Sequence, residues 1–240
     1  MALKDFFTAE GREAGRVRRA TKTLLERYAQ HDARMEAVDK LRSIGTEEAL
    51  FGLSRRFSAT SENLGTDQDE KKYVRDLLVA EGQNAVAPLK RYIKGHDKVT
   101  WAIDALRAIL SEDELIPFLQ EVVQGGDQVL IRGEKAVQII SAANDIHDPR
   151  FIPTVLECLE SDDDTVRFAA VESLEAFGDD VARVPFLERL VSEEEDSQRI
   201  RARIAQALMK LGWDVKGFRK KVEEHLPEPY RLNAKGRVTE

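Results

Sequence analysis

The feature that most limits what this chain can fold into is a repeat. A small or branched apolar residue, a larger apolar residue four positions on, and a glycine or its substitute four further recur along the chain. The copies are Ala37/Leu41/Gly45, Val74/Leu78/Gly82, Ala136/Ile140/Asn144, Ala170/Leu174/Gly178 and Ile204/Leu208/Gly212, and Ala102/Leu106/Leu110 keeps the frame with its glycine lost. The first anchors are separated by 37, 28, 34, 34 and 34 residues. Spacing by four puts both apolar residues on one helix face. Glycine in the third place suits the left-handed conformation that closes a helix, and Asn144 is expected to take that place in its copy. A fixed period of this length signals a repeat architecture.

Downstream of four anchors a proline opens a second apolar run: Pro88, Pro117, Pro153 and Pro185. Proline is tolerated in the first turn of a helix, where its missing N–H would have no partner. Each unit therefore reads as two antiparallel helices joined by a tight turn. Neither helix buries its apolar face alone, so neighbouring pairs must stack. The expected fold class is all-α, a right-handed α–α superhelix, or solenoid, of about six helical pairs. Charged residues make up 34% of the chain, which favours exposed helices lined with ion pairs over a compact α/β enzyme.

"DDTVRFAAVESLEAFGD" (163–179), with weaker copies "SQRIRARIAQALMKLGW" (197–213) and "HDARMEAVDKLRSIGT" (31–46), resembles the HEAT-repeat family, and within it the bacterial repeats of the phycobilisome-lyase type. The resemblance covers about residues 31–226. It implies a HEAT-like solenoid with a tendency towards protein binding. A basic residue stands three before the first anchor as Arg34, Lys71, Arg167 and Arg201, but not at Val99 or Gly133. These side chains are expected to form structural bonds between neighbouring repeats.

Three segments follow. Residues 1–30 read as an N-terminal helical cap with apolar positions Phe6, Phe7, Val17, Leu24, Leu25 and Tyr28 and a basic cluster at 12–22. Residues 31–226 form the repeat solenoid. Residues 227–240, with Pro227 and Pro229, read as an extended tail that either lies on the last repeat or docks on a partner through Tyr230 and Leu232.

Charge is segregated along the chain. Residues 1–98 hold 19 basic and 16 acidic side chains, residues 99–198 hold 7 and 23, and residues 199–240 hold 11 and 5. In solenoids of this type the second helices usually line the concave face. Their charges change sign, from Arg55, Arg56, Lys90, Arg91 and Lys94 to Glu121, Glu157, Glu160 and Glu188, and then to Lys220 and Lys221. These residues are the candidate contacts for a protein or peptide partner, because charge complementarity steers association. The acidic runs "ESDDDT" (160–165) and "SEEEDS" (192–197) lack the glycine and terminal glutamate of a calcium loop and read as helix N-caps.

No nucleophile–base motif, glycine-rich phosphate loop or H-E-x-x-H pattern occurs. The resemblance admits two enzyme-linked alternatives. One is a HEAT-like DNA-binding protein or alkylpurine DNA glycosylase, for which Trp101, Asp104 and Trp213 are the candidates; an acidic middle opposes phosphate binding. The other is a phycobilin lyase-like subunit. The favoured expectation is a non-catalytic adaptor or scaffold without catalytic, cofactor or metal residues. The lone Cys158 fits a reducing, cytoplasmic setting, and no run of apolar residues is long enough to span a membrane.

Overall fold

The computed structural model describes residues 9–125 and 133–240. Phe6 and Phe7 of the expected cap lie outside them. The chain divides into two compact units between Leu115 and Ile116. Among the described residues the first unit holds α1 (Ala9–Leu25), α2 (His31–Ile44), α3 (Glu47–Ser54), α4 (Leu64–Ala80), α5 (Val86–Gly95), α6 (Thr100–Ile109) and the start of α7 (Glu112–Gln124). The second holds the rest of α7, α8 (Gly133–Ile146), α9 (Ile152–Cys158), α10 (Asp164–Phe177), α11 (Arg183–Leu190), α12 (Gln198–Leu211) and α13 (Arg219–His225), then the short strands β1 (Arg231–Leu232) and β2 (Val238–Thr239).

From α2 onward the helices come in consecutive pairs, one pair per sequence repeat, and the fold is all-α and HEAT-like. Every anchor is buried: Ala37, Leu41, Val74, Leu78, Ala102, Leu106, Ala136, Ile140, Ala170, Leu174, Ile204 and Leu208 are at most 3% exposed. In the first unit α2, α4 and α6 pack in one layer and α3 and α5 in another, with α1 covering α2 and α3. In the second, α8, α10 and α12 form the first-helix layer, and α9 and α11 pack against it.

The turns follow the expected chemistry with two corrections. Gly178 closes α10 in the left-handed region, at φ 66°, and donates its N–H to Leu174 O; Gly45 and Gly212 close α2 and α12 in the same region. Asn144 does not take this place. Helix α8 runs on to Ile146, and His147 adopts φ 55°, stacked on Phe177 with centroids 5.0 Å apart. Asn144 instead accepts a hydrogen bond from Ser173 at 2.6 Å, joining α8 to α10. Pro88, Pro153 and Pro185 sit in the first turn of their helices, whereas Pro117 lies inside α7, which starts a turn earlier, behind Ser111, whose N–H and hydroxyl both donate to the Glu114 carboxylate. Asp163 and Ser197 cap α10 and α12.

The C-terminal tail is a hairpin, not a single extended segment. Arg231 pairs with Thr239 and Leu232 with Val238. It folds back on its own last repeat, where Val215 N–H donates to Gly236 O and Val238 is buried.

Each unit contains a carboxylate with no exposed surface, held between two arginines. Arg34 of α2 grips both oxygens of Glu70 of α4, at 2.8 Å each, and Arg56 donates to the same carboxylate at 3.0 and 3.1 Å. Arg167 of α10 grips Glu195 at 2.9 and 3.0 Å, and Arg189 of α11 donates at 2.7 Å. The third nitrogen of the gripping arginine donates to a carbonyl, Ala29 O or Ser161 O. Arg34 thus joins successive pairs, and Arg167 reaches the segment that leads to the next. Lys71 instead bonds Asp67 within its own helix, and Arg201 reaches Ser192 O.

Burial pushes the Glu70 and Glu195 carboxyls up, but their guanidinium partners more than reverse this and hold both below the ordinary range. Glu175 is lowered likewise, with burial opposed by Arg203 and Lys210. Removing one member of a buried pair costs about 3–5 kcal/mol because it leaves an unpaired charge. Glu195→Gln is therefore expected to lower unfolding free energy by about that amount, read from urea denaturation, while the exposed control Glu188→Gln stays within about 0.5 kcal/mol. A second outcome concerns pH. A folded pKa below the unfolded value of about 4.3 gives stability that is complete above that value and is lost as pH falls through the folded pKa. The urea midpoint should hold across neutral pH and drop on acidification below about pH 4. Glu175→Gln should make that drop shallower.

Candidate partner-binding groove

Helix α1 carries Ala14, Val17, Arg18, Thr21, Lys22 and Leu25 on one face, at the i, i+3, i+4, i+7, i+8 and i+11 positions counted from Ala14. That face, with α3 and α5, encloses a groove of about 860 Å³ in the first unit. Its depth begins at Gly52. A Cβ there would meet Thr21 Oγ1 at 2.5 Å, so α1 approaches α3 more closely than any side chain allows. Val17, Leu25 and Phe51 supply apolar lining, and Arg18, Lys22, Arg27, Arg55 and Arg91 supply cations, against the two carboxylates of Glu26 and Glu48.

Arg55 and Arg56 point different ways at the start of the 3-10 turn Arg55–Ser58 that follows α3. With three residues per turn, successive side chains point to different sides. Arg56, expected on the partner-facing surface, is 1% exposed and points inward to Asp67, at 2.5 Å, and Glu70. It is a structural residue, because the two carboxylates of α4 require a buried cation. Asp67 is held well below the ordinary range: burial raises it, and Lys71, Arg56 and the Ser61 N–H outweigh burial.

The structure brings Arg55 and Arg91 together in the groove. Arg91 lies over the Phe51 ring, 3.9 Å from its centroid, and pairs with Glu48 at 2.5 Å. Both members of that pair are about half exposed or more, so it contributes roughly 0–1 kcal/mol and is cheap to exchange. Arg18, Lys22 and Arg55 make no ion pair with any described residue. Lys90 and Lys94 share α5 with Arg91 but do not line the groove. In the second unit Glu121 and Glu188 are exposed, Glu157 accepts from Gln124 at 3.3 Å, and Glu160 pairs with Arg189 at the edge of the buried clamp, also at 3.3 Å. Among the described residues these four glutamates form no group placed to hold a metal ion.

Phe51, Gly52 and Glu48 were not among the candidates read from the sequence. The available signal was the spacing in α1, whose basic and apolar residues share one face. Of the candidates for base chemistry, Asp104 pairs with Arg75 at 3.2 Å, and Trp213 is buried against Phe186. Cys158 is buried, and burial, with Glu157 adding to it, pushes its thiol up to about 12. Among the described residues no group of three His, Cys, Asp or Glu side chains is placed to hold a metal ion, and no helix is long and apolar enough to cross a membrane.

Residues 134–209, which run from α8 to the last turn of α12, match the family model for HEAT repeats. No curated protein and no solved structure matches the chain. The matched segment is similar to HEAT repeats, which generally mediate protein interactions or scaffolding, and the paired helices give the chain an all-α, HEAT-like fold.

The contact between α1 and α3 can be tested through Gly52. Alanine there gains about 1 kcal/mol of helix propensity but overpacks the contact by about 1–3 kcal/mol. Gly52→Ala is expected to be less stable than wild type, and Gly52→Ala/Thr21→Ala to recover the loss, measured as a double-mutant cycle in urea.

Proposed function

We propose that the protein is a non-catalytic adaptor that holds a protein or peptide partner in the groove between α1, α3 and α5. The observation that carries this reading is a contrast among the arginines. Arg34, Arg56, Arg167 and Arg189 are buried and bonded to carboxylates, so the fold uses them. Arg18, Lys22 and Arg55 converge beside an apolar floor with no such duty. A recess that joins apolar lining to a few convergent polar groups is the usual form of a binding site. The class of fold supports the same reading.

The enzyme-linked alternatives gain no support from the side chains they would need. Asp104 is half exposed beside Arg75, which it shares with Asp76, and the Cys158 thiol is buried and disfavoured as thiolate. Nor does anything in the helix pairs favour the phycobilisome-lyase type of repeat over others.

Affinity purification from the native cell, with wild-type and Arg18→Glu/Arg55→Glu chains as bait, tests the proposal. Reversing two rim charges is expected to reduce recovery of at least one partner about tenfold, with helicity unchanged by circular dichroism. Equal recovery of every partner by both baits contradicts the groove as the site.

A further inference from the structure

Resting on that reading, we infer that the occupant of the groove is an acidic amphipathic helix with an apolar stripe. Charge selects its sign. Five cations face two carboxylates in the groove, and Glu48 is already shared with Arg91. An incoming carboxylate can take the place of Glu48 on Arg91 and find Arg18, Lys22 and Arg55 without ion-pair partners among the described residues.

Length and backbone chemistry select its form. The groove-lining face of α1 runs from Ala14 to Leu25, a rise of about 16 Å, which matches three turns of a second helix laid alongside. The walls are helices, whose interior N–H and C=O groups are already paired within each helix. An extended peptide would find few free backbone partners here, whereas a helix satisfies its own. The apolar floor of Val17, Leu25 and Phe51 calls for anchors at i, i+3, i+4 and i+7 on the ligand, with acidic residues flanking them. A flat anionic membrane would not reach a recessed floor of this kind.

Selection from a phage library of random peptides about four helical turns long, against the full chain, tests the inference. Each enriched peptide is rebound to Ala14→Trp, which fills the groove from an exposed position without changing charge, and to Arg18→Gln/Arg55→Gln. The expected peptides lose at least about tenfold affinity on both variants, are rich in Asp and Glu, gain helicity on binding and weaken with added salt. Peptides that depend on the groove but are basic, neutral or proline-rich overturn the acidic helix and leave the adaptor groove standing. If every enriched peptide binds Ala14→Trp as well as wild type, both readings fall. Two further measurements use wild type and Ala14→Trp without peptide. Concentration-dependent self-association in sedimentation, abolished by Ala14→Trp, would make the occupant a second copy of this chain, and groove-dependent binding to phosphatidylserine vesicles would make it a lipid surface. Either result overturns the inference.

Discussion

A glutamate taken wholly out of water is tolerable only if its charge is matched at once by well-placed donors. Glu70 and Glu195 meet that condition in the same way. Each is gripped through both oxygens by an arginine from the first helix of a pair and touched again by an arginine from the second-helix region of that pair. In the first unit the carboxylate comes from the next pair, and in the second from the segment leading to it. The clamp therefore ties both halves of one repeat to the start of the following one. Apolar burial supplies the drive to stack; the clamp restricts where along the helices the stacking settles. It also decides which arginines remain for other work. Arg56 is consumed by Glu70 and Asp67, while Arg55, one residue earlier, is left facing the groove.

Much of the fold was legible in the sequence because the core repeats. Anchors spaced by four, every 34 residues over the later copies, can be buried only as helix faces, and all of them are. What was not legible depends on local geometry that the period does not encode. Asn144 and Gly178 hold equivalent positions, yet α8 continues past Asn144 and closes at His147, whose ring stacks on Phe177 of the neighbouring pair. Tertiary packing chose the helix end there. Pro117 shows the same limit from the other side, since the Ser111–Glu114 cap lets α7 begin before its proline.

The site was half legible. Arg55 and Arg91 were readable as second-helix cations, and both line the groove. Arg56 was misread because it was grouped with its neighbour Arg55 on one surface, whereas adjacent side chains on a helical turn point about 100–120° apart and one of the two faces the buried carboxylates. Glu70 and Glu195 were hidden among acidic runs that resemble solvated helix starts, and only the arginines facing them reveal their role. Phe51 and Gly52 belong to the site because of what α1 does above them, a contact between segments that no local pattern announces.

The division of the arginines into those that hold the fold and those free for a partner is the claim on which this reading of the protein rests. Hydrogen exchange at arginine Nε–H groups, followed residue by residue by NMR in the free protein, tests it most directly. Protected Nε–H signals are expected for Arg34, Arg56, Arg167 and Arg189, whose Nε atoms donate to buried carboxylates, with rapid exchange at Arg18 and Arg55. Protection of Arg55 equal to that of Arg56, or rapid exchange at Arg34 and Arg167, would contradict it.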